Sequence, residues 1–430
     1  MTFTTPTAEA VPAAPAPKLA SLIGTRDPRL DFFRGIAMFI ILIAHTPGNY
    51  WTLWIPARFG WSDATEIFVF CSGMASAIAF GKVFATKGLG LGATRVGYRI
   101  WQVYWAHIGL FFAVAMTMAA LNGTGLFDKN YISSLNLQHF FNRTDENLVG
   151  LMTLTYVPNY FDILPMYIVA LALMPVMVAL ARVSPYAAFA LMGILWLGAQ
   201  EGVWQWFGLA GDWLEFPAEP WSDREWFFNP FGWQLIFFTG FAFMAGWLPA
   251  PPVDKRLIWL AVVVVLVTAV LKFNWSRTYP NPRDFDLTAF ETWLRSLHLE
   301  TRSVRVDIRP LTAKTDFGLF RYLHFLALAY LAWVAVGPGG SRILPGMTTW
   351  LSQVWAVMLT AILKVGQQSL AVFVFSMWYA RIQGVILDEV GRNGWTWAGV
   401  NLSGMALLVA VAYGAGWIKS QPWRTRKAPA

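Results

Sequence analysis

Long runs of apolar residues, separated by short polar segments, extend along most of the chain. A transmembrane helix needs about 20 mainly apolar residues, and ten runs approach this length. They lie near residues 31–49, 64–84, 98–120, 162–182, 186–207, 231–249, 256–272, 318–337, 367–387 and 396–418. The pattern predicts an all-α fold, a polytopic transmembrane helical bundle of about ten spans.

Composition agrees with this pattern, because 57% of the residues are hydrophobic and only 13% are charged, against about 25% charged in soluble domains. The beginning of the chain is rich in Pro, Ala and Thr and has no apolar run, which indicates a disordered tail rather than a signal peptide. We therefore expect a disordered cytoplasmic tail at 1–25, a membrane domain at 26–418 and a basic cytoplasmic tail at 419–430.

The distribution of charge predicts the orientation. Residues 82–99, between the second and third runs, carry four Lys and Arg and no acid, which is typical of a cytoplasmic loop. The acidic segment 208–230 is then external, and so is 273–316 despite seven Lys and Arg against six acids. Both termini face the cytoplasm of a bacterial inner membrane if the further apolar run 348–363 is re-entrant or interfacial.

Several classes of protein are disfavoured. The net charge of +8 lies mainly on short cytoplasmic loops, where a membrane protein places it, so we expect no nucleic-acid partner. Cys71 is the only cysteine, which excludes an intrachain disulfide. The five histidines show no metal-ligand spacing and no Walker-type glycine loop occurs, so we expect neither a metal site nor ATP hydrolysis.

The first predicted helix contains Asp31, Arg34 and His45. Charged groups inside a bilayer cost at least a few kcal/mol and are functional candidates by default. A helix turns about 100° per residue, so the step from Arg34 to His45 is roughly 1,100°, about 20° from a whole number of turns. The two side chains are predicted to share one face, about 16 Å apart along the axis.

This arrangement suggests a division of labour. A guanidinium near the cytosol suits the phosphates of a donor such as an acyl-CoA, and an imidazole deeper in the membrane takes a proton from an acceptor hydroxyl. Asp31, one turn before Arg34, can pair with it. The structural alternatives are an arginine placed by the positive-inside bias and a histidine hydrogen-bonded to a neighbouring helix, but the shared face favours function.

The R-x10-H spacing of Arg34 and His45 resembles the acyltransferase-3 superfamily, and residues 29–49 (RLDFFRGIAMFIILIAHTPGN) resemble its OpgC branch. Residues 60–73 (GWSDATEIFVFCSG) resemble the same branch, with Ser72 and Gly73 matching an F-x-S-G element. Looser similarity follows at 161–168, 318–328 and 366–376.

The resemblance implies transfer of a succinyl group from cytoplasmic succinyl-CoA to a hydroxyl of a periplasmic glucan. It implies that His45 is the catalytic histidine, as a general base or a transient acyl carrier, and that Arg34 binds the donor. Acyl-CoA is then a co-substrate, and no permanently bound cofactor is expected. The alternatives are an acetyltransferase acting on another polysaccharide or amino sugar, and a proton-coupled transporter or flippase. A transporter would have inverted repeats, which the sequence does not show.

Further candidates lie near the predicted helix ends. Asp63 and Glu66 either orient the imidazole as carboxylate partners or cap the second helix, and for Asp162 capping is favoured. Arg321 and His324 form an intramembrane pair, either catalytic or structural.

Three segments suggest substrate contacts. Ser72, placed on the donor side, or amides near Gly73 can stabilise an oxyanion. The glycine-rich residues 88–92 either hold donor phosphates or form a plain cytoplasmic turn. In the tryptophan-rich outer loop, Trp213 and Trp221 either stack on acceptor sugars or belong to an aromatic belt.

Overall fold

A computed structural model of the chain describes residues 27–211, 214–272, 292–293, 296, 300–346 and 349–424. These residues are almost entirely helical, with a single isolated bridge between Pro217 and Glu225 and no β-strand among them. The all-α prediction is confirmed. Within the described ranges, five helices are long and apolar enough to cross a bilayer, which indicates a membrane protein, and the count of ten spans is not confirmed. They are Ala64–Gly123, Ile163–Val183, Leu319–Val336, Ser369–Val390 and Gly394–Ser420.

The helices are numbered in chain order. They are α1 Pro28–His45, α2 Ala64–Gly123, α3 Gln138–Asn142, α4 Thr144–Thr153, α5 Ile163–Val183, α6 Pro185–Gly198, α7 Glu201–Trp206, α8 Pro230–Ala245, α9 Lys255–Lys272, α10 Arg302–Asp307, α11 Arg309–Thr312, α12 Leu319–Val336, α13 Trp350–Gln367, α14 Ser369–Val390 and α15 Gly394–Ser420. Four short 3₁₀ turns lie at Tyr50–Trp54, Pro56–Arg58, Ser133–Leu135 and Pro338–Gly340.

Helix α1 lies at the centre of the bundle, against α2, α13, α14 and α15. The Asp27 side chain accepts a hydrogen bond from the Arg29 N–H at 2.9 Å, and Pro28 occupies the first turn, where a missing N–H costs nothing. The helix ends at His45, because Thr46 adopts an extended backbone. The helix therefore places His45 at its carboxyl end.

Helix α2 contains the second and third predicted spans in one run of 60 residues, interrupted at Gly88. Gly88 has φ +84° and ψ 176°, a conformation that glycine adopts without the steric cost of a Cβ. Phe84 packs against Gly92, which requires a sharp bend between them. Of the glycine-rich residues 88–92 only Gly88 leaves the helix, so this segment is a bend and not an extended phosphate-binding loop.

Glycines allow two helix pairs to approach closely, as is common between membrane helices. Gly73 of α2 lies against the Phe237 carbonyl of α8, where an added Cβ would overlap the backbone. Gly35 of α1 lies in the same way against the Ile362 carbonyl of α13. Gly73 therefore has a packing role, and its amide lies within the regular helix α2.

Helix α13 covers the ambiguous apolar run and packs along α1, with Gly366 against the backbone of Asp31. Its other side exposes apolar residues such as Trp350, 70% exposed, and Val357, 72% exposed. The exposed apolar face suits lipid contact. Whether this helix spans the membrane or lies at its interface stays a prediction.

Candidate functional site

The carboxyl end of α1 opens into a cavity of about 340 Å³. His45 and Ile41 of α1 form one wall, and residues from α2, α5, α14 and three outer segments complete it. The lining residues are Ile41, His45, Thr65, Phe68, Asn159, Tyr160, Asp162, Ile163, Phe227, Phe228, Lys314, Phe373 and Met377. Polar groups are few and converge on an otherwise apolar cavity, which is the usual character of a small-molecule site.

The His45 ring is held by the backbone of its own helix. Its Nδ1 atom lies 2.8 Å from the carbonyl oxygen of Ile41, one turn earlier. Because a carbonyl oxygen can only accept, Nδ1 carries the proton of the neutral ring and donates it. Nε2 then holds the lone pair. The contact thus leaves the basic nitrogen available for a proton from a ligand.

Tyr160 supports the other side of the imidazole. Its ring meets the His45 ring edge to face at 5.4 Å between centroids, and its hydroxyl donates to the Met377 carbonyl of α14. The Cζ atom of Arg381 lies 3.8 Å from the centre of the Tyr160 ring, at cation–π distance. Tyr160 has φ +95°, an uncommon conformation for a residue other than glycine. Sequence reasoning missed both residues. Tyr160 lies in a loop, but Arg381 lies inside the predicted apolar run 367–387, and its charge there was a signal that could have identified it.

Arg34 lies toward the opposite end of α1 and donates to the Ser369 hydroxyl at the start of α14. Further along α14, Phe373 and Met377 line the cavity beside His45. Both predicted residues therefore face α14, as the helical spacing predicted. Arg34 does not line the cavity itself.

Asp31 is buried, 2% exposed, beneath Gly366 of α13. Ser72 is buried in α2, one turn beyond Phe68 of the cavity wall. Its neighbour Cys71 lies within electrostatic range of Arg34 and Asp31, so Ser72 lies at the depth of the donor-side residues. The donor and oxyanion roles of Ser72 stay predictions.

Asp63 and Glu66 form a capping box at the start of α2. The Asp63 side chain accepts from the Thr65 N–H, and Glu66 accepts from the Asp63 N–H, both at 2.7 Å. The predicted cap is thus present. The second carboxylate oxygen of Asp63 pairs with Lys314 at 2.6 Å, and Glu66 pairs with Arg321 at 2.6 Å. The ring of His45 is oriented by Ile41 rather than by either carboxylate, because both are taken by cations and helix amides.

His324 and Arg321 of α12 connect that helix to the segment before α2. The Ser62 N–H donates to Nδ1 of His324 at 3.2 Å, and the Ser62 hydroxyl lies 2.8 Å from the same nitrogen. Arg321 and Glu66 are 7% and 0% exposed. Neither His324 nor Arg321 lines the cavity, and their contacts are those of a buried structural network.

Three segments that connect the helices close the cavity. The tryptophan-rich loop supplies Phe227 and Phe228, and the segment before α12 supplies Lys314. Asp162 occupies the position before α5, but its side chain makes no cap hydrogen bond and accepts instead from the Phe227 N–H at 3.0 Å. The favoured interpretation of Asp162 as a cap is therefore wrong. Through this hydrogen bond the Asp162 carboxylate holds the tryptophan-rich loop in place.

Trp221 stacks on His139, with 4.4 Å between ring centroids, and its side chain is 38% exposed. It does not line the cavity beside His45. Trp213 lies outside the described residues. Arg224 anchors the same loop by donating to Asn159 and to the Val157 carbonyl at 2.9 and 2.8 Å. An acceptor role for the two tryptophans stays a prediction.

Three acidic side chains lie close together, one from α7 and two from the tryptophan-rich loop. The carboxylate oxygens of Glu201, Glu215 and Glu225 all lie within 4.8 Å of one another. Burial, and then the hydrogen bond and charge of Glu215, raise the pKa of Glu225 to about 8. Burial also raises the pKa of Asp316 to about 6, and the charges of Glu201 and Glu215 add to it. A proton held between carboxylates relieves their repulsion. Sequence patterns did not indicate this grouping, because its members come from separate segments.

The fold and the site together define an all-helical membrane protein with a histidine-centred cavity. The chain belongs to the OpgC protein family, whose model matches residues 26–420. Membership suggests an acyltransferase that transfers acyl or succinyl groups to glucans. No similar protein was found among curated sequences, and no similar fold among solved structures.

Proposed function

We propose that this protein is a membrane-bound O-acyltransferase that moves a succinyl group from cytoplasmic succinyl-CoA to a hydroxyl of a periplasmic glucan. The observation that carries the proposal is the contact between His45 Nδ1 and the Ile41 carbonyl at 2.8 Å. It leaves Nε2 as a base beside a cavity that can admit a hydroxyl and an acyl group.

In the proposed reaction, Nε2 of His45 takes the hydroxyl proton as the acceptor oxygen attacks the thioester carbonyl. A bond from carbon to oxygen forms and the carbon–sulfur bond breaks. The CoA sulfur leaves and receives the proton from the imidazolium, so the products are an ester and free CoA thiol. In the alternative route, Nε2 attacks the thioester carbonyl, the carbon–sulfur bond breaks and CoA leaves as the thiolate. The acceptor hydroxyl then attacks the acyl-imidazole, the carbon–nitrogen bond breaks and the hydroxyl proton passes to the CoA thiolate.

Among the described residues that line this cavity, Lys314 is the one Lys or Arg. Its ammonium group is fixed by Asp63 at 2.6 Å. A fixed cation beside the reacting carbonyl stabilises the negative charge that develops on its oxygen. The same group suits the free carboxylate of a succinyl chain.

The donor end is proposed at Arg34. Lys419 of α15 lies within electrostatic range of Arg34 and of Arg99 on α2. Lys364 of α13 lies against Gly416 of α15. Several cations from four helices thus gather at this end of α1, and such a group suits the phosphates of a nucleotide-bearing donor.

The test is transfer of labelled acyl groups from succinyl-CoA and from acetyl-CoA to periplasmic glucan, in membranes that contain wild-type protein or His45→Ala at equal levels. We expect succinyl transfer by the wild type and its loss in the variant. Equal transfer by both would remove His45 from catalysis. A preference for acetyl-CoA would assign the acetyl alternative, and mass spectrometry of quenched protein would detect an acyl-histidine.

The donor role is tested by Arg34→Gln, with Arg29→Gln as the matched control on the same helix. Arg29 pairs with Asp27 at the start of α1, and its side chain is 22% exposed. We expect Arg34→Gln to raise KM for the acyl-CoA about tenfold, the weight of one charge-assisted hydrogen bond, and Arg29→Gln to leave KM unchanged. Equal effects of the two substitutions would reject the assignment.

A further inference from the structure

A second and larger cavity, of about 850 Å³, lies at the same end of α1. Ala44 and Thr46, the two neighbours of His45, line this cavity, whereas His45 lines the smaller one. Its remaining walls come from the segment between α1 and α2, the end of α9, and α10 and α11. The lining residues are Ala44, Thr46, Pro47, Gly48, Asn49, Thr52, Ile55, Ala57, Arg58, Trp61, Leu271, Lys272, Arg305, Ile308 and Thr312.

The charge of this cavity is one-sided. Arg58, Lys272 and Arg305 line it, and the described lining residues include no Asp or Glu. Lys272 lies within electrostatic range of three cations, Arg321, Lys314 and Arg58, and of one acid, Asp63, which does not line the cavity. A concave site with cations on several walls concentrates the field and attracts anions.

Two of the cations are positioned by hydrogen bonds. Arg58 Nε donates to the Thr52 carbonyl at 3.3 Å, and Arg305 donates to the Thr301 hydroxyl at 2.9 Å. The guanidinium of Arg58 has five donors in a planar fork, so it can also donate to a ligand. The hydroxyl of Thr312 and the ring of Trp61 also lie at the cavity wall. A hydroxyl and an aromatic ring beside cations are groups that can contact a charged carbohydrate.

We propose that this cavity binds an anionic substituent, a carboxylate or a phosphate, on the carbohydrate acceptor, and this rests on the proposed function. A glucan that already carries such groups then binds with its charge in the large cavity and a hydroxyl beside His45. Arg305 belongs to a segment that is unusually basic for its predicted side of the membrane, and the proposal gives this charge a role. The donor phosphates are assigned to the Arg34 end, about 16 Å away along α1.

The experiment measures steady-state succinyl transfer to three acceptors: a neutral glucan, the same glucan carboxymethylated, and the same glucan phosphorylated. The variants are Arg58→Gln and Arg305→Gln. Arg309→Gln is the matched control, because Arg309 lies on the neighbouring helix α11, is exposed and does not line the cavity. Binding of each fluorescently labelled glucan to the full-length protein in detergent is measured in parallel.

We expect the wild type to show a lower KM for the anionic glucans than for the neutral one. Each cavity variant should raise that KM about tenfold with kcat and the neutral-glucan KM unchanged, and Arg309→Gln should match the wild type. A preference for only one of the two anionic probes identifies the substituent.

Three results would overturn the proposal. The first is an equal KM of the wild type for the neutral and the anionic glucans. The second is an equal rise of the neutral-glucan KM and the anionic-glucan KM in the cavity variants, and the third is a change in the KM for acyl-CoA instead. If the wild type transfers to no glucan, the proposed function fails, and binding decides the cavity on its own. Tighter binding of the anionic glucans that Arg58→Gln and Arg305→Gln abolish would retain it, and equal binding of all three would reject it.

Discussion

His45 and Ile41 are joined by a contact of 2.8 Å between the imidazole Nδ1 and a backbone carbonyl oxygen. Catalytic histidines are often oriented by a carboxylate, but here the orienting group belongs to the same helix. The consequence is that no carboxylate is needed to orient the ring. The orientation of the ring and its basicity are therefore separable by substitution.

Asparagine at position 45 tests this separation. Its amide can still donate to the Ile41 carbonyl, but it has no basic nitrogen. We expect His45→Asn to retain the thermal stability of the wild type in detergent and to lose acyl transfer by about 10²–10⁴-fold, the usual contribution of a general base. His45→Phe, which lacks the donor, should lose both. Substantial transfer by His45→Asn would contradict the role of the imidazole.

The pair of Glu66 and Arg321 supports a second prediction, about stability. Both side chains are buried, and removing one partner of a buried ion pair typically costs about 3–5 kcal/mol because a charge is left unpaired. We expect Glu66→Gln or Arg321→Met alone to lower the apparent melting temperature strongly. The double substitution should recover most of the loss, since no charge is then stranded.

The control for this cycle is Arg392→Met, which breaks the pair with Asp388. Arg392 is 48% exposed, and exposed pairs contribute little. Its melting temperature should stay near that of the wild type. If the double variant is as unstable as the sum of the single ones, then the two residues act separately and the ion pair is not the source of the effect.

Part of this site could be predicted from the sequence. The position of Arg34 and His45 on one face follows from helical periodicity, and both do face α14. The cap of α2 follows from the local spacing of Asp63 and Glu66. These features depend on residues within a few turns of one another, where geometry is fixed by the helix itself.

The remaining contacts depend on tertiary packing. Lys314 reaches Asp63 across 251 residues, and no periodicity indicates that a loop lysine pairs with a helix cap. Asp162 has the position of a cap, but its carboxylate accepts instead from the distant N–H of Phe227. Apolar runs likewise indicated helices without indicating that two of them would join through Gly88.

The close approach of Gly35 to the Ile362 carbonyl supports a third prediction. A methyl group at position 35 would overlap that carbonyl, so α1 and α13 would have to separate. We expect Gly35→Ala to lower the melting temperature. It should also lower acyl transfer, because the shift of α1 would displace the adjacent Arg34. Gly97→Ala is the control, since nothing lies near an added Cβ there. Alanine favours a helix interior by about 0.5–1 kcal/mol over glycine, so this variant should be at least as stable as the wild type.

The group of Glu201, Glu215 and Glu225 supports a fourth prediction, on the pH dependence of stability. The pKa of Glu225 is raised from 4.5 to about 8 by burial and by Glu215, so the folded protein holds a proton there that the unfolded chain releases above about pH 4.5. Folding therefore binds a proton between these values, and stability falls as the pH rises toward 8. Glu225→Gln keeps the hydrogen-bonding shape without the titration. We expect it to flatten the decline of the melting temperature between pH 5 and 8.

Glu219 provides the opposite sign within the same loop. Burial opposes its ionisation, but the hydrogen bond and charge of Arg224 outweigh burial and hold its pKa below the ordinary value. Its stabilising contribution is present above the unfolded pKa and is lost as the pH falls through the folded one. Glu219→Gln should therefore reduce the melting temperature at neutral pH and leave the decline toward pH 8 as it is in the wild type. If Glu225→Gln and Glu219→Gln change the pH profile in the same way, the loop responds to net charge alone and the shared proton of Glu215 and Glu225 is not its cause.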